Sequence, residues 1–228
     1  ELITVCDMAE LGEVEYTAND LQSDWQTPGF DLEADAWLIT GPKEDPVGSA
    51  FLSSEEETQL YALGFVNPHH YGQGIGTHLV RLTEERAVQQ ADDAPPGTPV
   101  VLRNFICNPN TDARRLLERE GYKPVRHFWR MRILMDEAPP QPNWPQGINV
   151  RTFVAGQDER ATFDAMEDAF RDHWGYTPWR YDVWESKSIK RDDFDPSVWF
   201  LAMDGDEIVG GSLCRTYPNE GWVSGLGV

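Results

Sequence analysis

Basic residues are scarce in this 228-residue chain: 19 lysines and arginines stand against 39 aspartates and glutamates, a formal charge of −20. Contact with a phosphate backbone needs a clustered basic surface, and none is visible, which argues against a nucleic-acid partner. Long apolar runs are missing too. Nothing approaches the roughly 18–20 residues of a membrane span, and the first residues carry no signal-peptide pattern. Cysteine is rare: Cys6, Cys107 and Cys214 are too few and too scattered for a disulfide framework or a metal site. Each is expected to be a small buried hydrophobe in a reducing compartment. These absences predict a soluble, cytoplasmic protein with no metal, membrane or nucleic-acid partner.

What is present is enough for a core. Hydrophobic residues make up 40% of the chain and aromatic residues 11%, with nine tryptophans, which a disordered acidic segment would lack. Only four of the 19 basic residues are lysine. The acidic excess reads first as a solvated surface and second as a field that attracts a cationic substrate.

One break in composition stands out. Residues 137–147 hold four prolines and no hydrophobic period, which describes a stiff linker between residues 1–136 and 148–228. In the first part, the apolar spacing predicts a helix from Leu2 to Leu11 stopped by Gly12. Strands follow at Ala36–Ile39, Val47–Leu52 and Gln59–Val66, then a helix over Gly76–Gln89 and a strand over Thr98–Ile106. A short helix over Asp112–Glu120 is closed by Gly121, and Val125–Met135 reads as a final strand. The second part repeats the theme. It has a strand at Ile148–Phe153, a helix at Asp158–Phe170, a hairpin of Val198–Met203 with Ile208–Tyr217, and a strand opening at Trp222. The predicted class is α/β (α+β), as two tandem domains with the second incomplete.

The stretch with chemical content is Leu60 to Leu79: a strand, a tight loop with Gly72, Gly74 and Gly76, and then a helix. Unhindered amides at a helix start cradle an anion, helped by the helix dipole. The third glycine arrives one residue early for a dinucleotide fingerprint, and no Gly-Lys-Ser/Thr is present for a nucleotide-hydrolysing P-loop. By itself the loop says phosphate binding, or only a glycine-capped turn.

Val66-x-Pro68-x-x-Tyr71-Gly72-x-Gly74-Ile75-Gly76-x-x-Leu79 resembles the acyl-CoA pyrophosphate loop of the GCN5-related N-acetyltransferase superfamily. Asn110-x-x-Ala113-x-x-Leu116-Leu117-x-x-x-Gly121-Tyr122 resembles that superfamily's helix after its fifth strand. The two motifs fall in order and cover most of residues 1–136. The resemblance implies a mixed β-sheet flanked by helices, whose fourth and fifth strands splay apart to hold acetyl-CoA. It implies that Phe65 and Val66 offer backbone groups to the pantetheine arm. The backbone amides of Gly72, Gln73, Gly74, Ile75, Gly76 and Thr77 would hold the diphosphate, and Asn110 would lie near the cofactor arm.

Two positions depart from the pattern. Tyr71 stands where the superfamily usually has Arg or Gln. Leu117 stands where a tyrosine commonly protonates the leaving thiolate, and leucine has no proton to give. A general base is expected on or before the fourth strand, where Glu55, Glu56 and Glu57 sit; Glu57 is the candidate by position, with a solvated acidic turn as the ordinary role. His69 and His70 flank the loop, where packing or exposure is the ordinary role.

The second part resembles the start of another such domain, in Phe170–Gly175 and Val223–Val228, as in tandem acetyltransferases related to mycothiol synthase. On that resemblance the first domain lacks its opening strand and the second its phosphate loop, as in a piece of a longer protein. His173, Trp174 and Trp179 are candidates for an acceptor pocket, with core packing as the ordinary alternative. The implied function is transfer of acetyl from acetyl-CoA to a primary amine of a small molecule by direct attack. The alternatives are a non-catalytic acetyl-CoA-binding module and a degenerate scaffold supporting a C-terminal active site.

Overall fold

The computed structural model describes residues 1–56, 58–92, 94, 97–217 and 219–228, with Glu55 and Glu56 as backbone only. The chain forms two compact units, residues 1–122 with 177–192, and residues 123–176 with 193–228.

The first unit has a four-stranded mixed sheet. Strands β1 (Ala36–Thr40), β2 (Pro46–Glu56) and β3 (Gln59–Val66) form an antiparallel meander, and β4 (Val101–Asn104) adds parallel to β3. Ahead of the sheet come helices α1 (Leu2–Glu10), α2 (Ala18–Trp25) and α3 (Leu32–Asp35); α4 (Ile75–Ala91) links β3 to β4, and α5 (Thr111–Arg119) follows. This is the mixed, helix-flanked sheet that the resemblance implies. The period-two pattern of the strands divides their side chains between two faces. Leu52, Leu60 and Ala62 meet Ala87 of α4 in a buried core with Trp37, Val100 and Leu102 around it. Phe51 and Phe65 lie on the opposite face against the ring of Tyr16. Helix α4 buries Leu79, Thr83 and Ala87, spaced four apart, so one stripe seats it on the sheet.

Helix α2 starts with a capping box in which the side chains of Thr17 and Asp20 each take the other's backbone amide. Helix α7 (Tyr181–Ser188) returns to this unit from far along the chain. Beside α2, Arg191 donates to Asp20 at 2.8 Å and Lys187 lies 3.3 Å from Asp24. Helices α2, α3 and α7 are short and carry no long apolar period, so the sequence does not announce them.

The second unit is an antiparallel sheet in the order β5 (Ile148–Thr152), β6 (Phe200–Asp204), β7 (Glu207–Thr216), β8 (Gly221–Gly227), with helix α6 (Glu159–Phe170) across it. Gly205 turns the β6–β7 hairpin at φ 60°, as the Asp-Gly-Asp sequence predicts. A β-carbon added at Gly211, Gly225 or Gly227 would come within 3.0–3.4 Å of the Met166 side chain, so these glycines make room for α6. Trp199 donates its indole N–H to the Cys214 carbonyl at 3.0 Å, while the rings of Phe153 and Phe194 stand edge-on to it.

Val125–Met135 is not a strand. These residues have no regular structure and no ladder partner among the described residues, and Trp129 and Met131 are almost fully exposed. The alternating pattern satisfies strand periodicity, but a strand exists only where a neighbour accepts and donates its hydrogen bonds. Side-chain contacts bind here instead: Arg130 and Arg132 both reach Glu220, and Arg130 lies over the Trp222 ring. The strand expected over Thr98–Ile106 is also shorter, covering only Val101–Asn104.

Buried Asp158 anchors the turn into α6. It takes both guanidinium nitrogens of Arg151 and the Val154 amide, and these hydrogen bonds hold its carboxyl below the usual aspartate range near 3.8. A folded-state pKa below the unfolded one adds stability above the unfolded value, and that stability is lost as pH falls through the folded one. Asp158→Asn should therefore lower the urea midpoint of this unit clearly at pH 7, and the gap to wild type should shrink below about pH 4. Equal gaps at both pH values would rule out the ionised pair as the source.

Candidate active site

The site arises where β3 and β4 separate. Their parallel pairing runs only from Gln59↔Val101 to Ala62↔Asn104. Strand β3 then continues to Val66, paired on its other edge with β2, while the chain leaves β4 at Phe105. Asn67 donates to the Val47 carbonyl and Val101 to the Thr58 carbonyl, both at 2.9 Å. Backbone groups alternate sides along a strand, so Phe65 turns its amide and carbonyl to β2, and Gly64 and Val66 turn theirs to the gap. Of the two residues expected to serve a pantetheine arm, Val66 faces the gap and Phe65 does not. Gly64, which the sequence reading passes over, does. The Val66 carbonyl accepts the Cys6 thiol at 3.2 Å.

Past Val66 a one-turn 3₁₀ helix (Pro68–His70) is capped by the Asn67 side chain, which accepts from the His69 amide at 3.0 Å. Gly72 and Gly74 then adopt φ of 77° and 86°, the left-handed region that side chains disfavour. Gly74 is the N-cap of α4 and brings no capping side chain, and the first α-helical bond runs from His78 to the Gly74 carbonyl. The amides of Ile75, Gly76 and Thr77 therefore have no acceptor within the helix and stand at its positive end. Two other glycines are required by contact. A β-carbon at Gly48 would sit 2.6 Å from Ile75 Cγ2, and one at Gly76 would sit 2.8 Å from Leu116 Cδ2. Both let α4 begin close to the sheet and to α5.

Helix α5 forms the other wall. Asn110 caps it by accepting the Ala113 amide at 2.9 Å, and its amide group donates to the Glu10 carboxylate. Arg119 donates to Thr77 Oγ1 at 2.7 Å, which ties α5 to the start of α4.

Together these elements enclose a cleft of about 680 Å³, a size that suits a small ligand. Val66, Tyr71, Gly72, Gly74, Ile75, Gly76, Thr77 and Asn110 line it; Phe65 and Gln73 do not. Leu117, where the resemblance implies a proton donor, also lines it and gives the cleft wall an apolar side chain. His70 lines the cleft and His69 is exposed. Glu57 lies outside the described residues, and Glu55 and Glu56 are described only as backbone of β2. His173 and Trp174 belong to the second unit and Trp179 to the first, and none of the three lines this cleft. There, His173 meets the edge of Phe170 and Trp174 lies under the Arg126 guanidinium.

Glu10, Arg115 and Arg119, none of them expected from the sequence, also stand on the cleft wall. The two arginines lie four apart on α5, a helical spacing of cations in an acidic chain that was a usable signal. Glu10 gave none. Its carboxyl is pushed above the usual range by burial, against hydrogen bonds that pull it down. Burial first, then Glu10, pushes the Tyr71 hydroxyl up to about 12 and the Cys107 thiol up to about 11. Burial likewise pushes Cys6 up to about 11. Both thiols stay protonated near neutral pH, the opposite of an activated nucleophile. Among the described residues there is no group of three or more His, Cys, Asp or Glu placed to hold a metal. Among them, too, no helix is long and apolar enough to cross a membrane.

No family model matches the chain. It is 30% identical over 181 residues to a mycothiol acetyltransferase of Pseudarthrobacter chlorophenolicus, covering 78% of this chain and 52% of that protein. It is 31% identical over 206 residues to a mycothiol acetyltransferase of Streptomyces scabiei, covering 86% and 60%. The chain spans about half the length of the curated relatives it matches. Among solved structures, it is similar to a GCN5-related N-acetyltransferase from Sphaerobacter thermophilus, with a TM-score of 0.78 and 37% identity over 100% of this chain and 70% of that one.

Proposed function

This chain belongs to the GCN5-related N-acetyltransferase superfamily, and we propose that it binds acetyl-CoA in the β3–β4 cleft and directs acetyl transfer to a primary amine of a small molecule. The observation that carries the reading is the junction of an open strand edge with a helix start that has three unspent amides. The cleft's extended edge and polar helix start support acetyl-CoA as the donor. An extended amide-bearing arm can pair with Gly64 and Val66 as a missing strand would, and a diphosphate suits the amides of Gly72 to Thr77. Phe65 and Tyr71 border these segments, Gln73 lies inside the loop, and Asn110 fixes the facing helix.

Bound there, acetyl-CoA supplies an acyl group activated as a thioester. The protein's part is alignment. Strand β3 fixes one side of the gap, α5 the other, and main-chain amides polarise a carbonyl laid along the strand. The amine must shed a proton before it attacks, and Glu57 is the proposed base, directly or through water. Direct attack suits a cleft whose two neighbouring thiols are held protonated. The chain's negative charge favours a cationic acceptor entering from solution. The tandem division, 1–136 and 148–228 joined by 137–147, belongs to the same proposal. It is supported by the β1–β2–β3 meander recurring as β6–β7–β8.

A second reading rests on Leu117: the cleft binds acetyl-CoA without turning it over and supports an active site elsewhere in a longer protein. Incubating the protein with acetyl-CoA and a broad panel of small amines, and measuring free thiol, separates the two. Amine-dependent thiol release above background supports catalysis. Calorimetric binding of acetyl-CoA with no release on any amine would leave only the second reading.

A further inference from the structure

Helix α1 reaches both sides of the cleft with one face. Cys6 and Glu10 are four residues apart, so their side chains stand one above the other on the helix. Cys6 holds the carbonyl of Val66, the last residue of β3. Glu10 takes the amide group of Asn110, whose other end is committed to capping α5. Cys107, just past β4, and Tyr71, in the glycine loop, stand near enough that, after burial, the Glu10 charge is the main cause pushing both groups up. The end of β3 and the cap of α5 are thus tied to one face of helix α1.

We propose that Cys6 and Glu10 of α1 form a brace that sets the width of the β3–α5 gap and the placement of the glycine loop, with Glu10 as a positioning residue for the acyl donor. The inference rests on reading the cleft as the acetyl-CoA site. Glu10 has no cationic partner among the described residues. It accepts from a neutral donor, the Asn110 amide group, and a bond to an ionised carboxylate is the stronger kind. This also gives Tyr71 a purpose. A phenol where the superfamily usually has Arg or Gln keeps a donor at that position, near Glu10. The brace acts before any ligand arrives, by limiting how far α5 and the loop drift from β3. Binding then costs less ordering.

The test compares the wild-type chain with Glu10→Ala, Glu10→Gln and Tyr71→Phe by calorimetric titration with acetyl-CoA and by amide hydrogen exchange without ligand. Glu10→Ala should weaken acetyl-CoA binding about tenfold, the loss expected for a charge-assisted hydrogen-bond hub. Glu10→Gln, whose amide oxygen still accepts from Asn110, should recover most of it. Tyr71→Phe should weaken binding less and add nothing on top of Glu10→Ala. In the free protein, Glu10→Ala should speed exchange in residues 71–77 and 107–113 about tenfold, leaving β1 and β2 unchanged. Wild-type affinity in Glu10→Ala, or exchange accelerated evenly across the unit, would overturn the brace. If wild type binds no acetyl-CoA the cofactor reading falls, and the exchange pattern still decides whether the brace exists.

Discussion

Gly74→Glu should abolish the thermal stabilisation that acetyl-CoA gives the wild-type protein. A ligand at about 100 times its dissociation constant stabilises the folded state by about 2.7 kcal/mol, a rise of several degrees in Tm. Gly74 is the left-handed N-cap of α4, with φ 86° and nothing within 4 Å of an added β-carbon. A side chain there therefore meets open space, and the cost to the fold is about the 1–2 kcal/mol of a left-handed residue. The cost to binding is far larger. A carboxylate would stand where the diphosphate is expected, in front of the amides of Ile75, Gly76 and Thr77. Gly74→Ala separates the two effects, since it carries the same backbone cost without the charge and should keep part of the ligand shift. A full shift in Gly74→Glu would mean that the diphosphate is held elsewhere.

Asp35→Ala should cost the first unit about 3–5 kcal/mol, the range for removing one partner of a buried ion pair. The Asp35 side chain is 2% exposed and takes Arg86 Nε at 2.7 Å. It also accepts Gln90 Nε2 at 3.0 Å and the Asp31 amide at 2.8 Å. One carboxylate thus joins α3 to the later turns of α4. Its loss strands a half-buried guanidinium and two neutral donors together, and little water can reach them. Urea unfolding followed by circular dichroism reads the effect, and a loss under about 1 kcal/mol would show that solvent screens the pair well. Asp35→Asn should fall between wild type and Ala, since it keeps two acceptor sites and loses the charge. Helix α4 carries the glycine loop at its other end, so the same variant should also weaken acetyl-CoA binding.

The parts of the site legible in the sequence are those whose requirements are local. Gly72 and Gly74 are glycine because the turn itself needs positive φ. The helix after β4 reads from its own spacing over Asp112–Glu120, and the structure adds Asn110 as its cap. Gly48 and Gly76 are glycine for another reason, contact with Ile75 and Leu116, and no local pattern announces that. Glu10 was invisible for the same cause: its partner Asn110 lies 100 residues away. Val125–Met135 shows the converse failure, a sound local pattern without a neighbour to complete it.

By itself the sequence determined the meander of short strands, the glycine turn into α4 and the existence of helix α5, because backbone propensity and hydrophobic period act within a few residues. Tertiary structure alone decided where β3 and β4 part and which residues of β3 face the gap. It alone brought Arg191 to Asp20 across 171 residues and set Glu10 among the cleft walls. Those outcomes depend on pairings between distant segments, where burial and hydrogen-bond satisfaction are settled by the whole fold and leave no period in the chain to read.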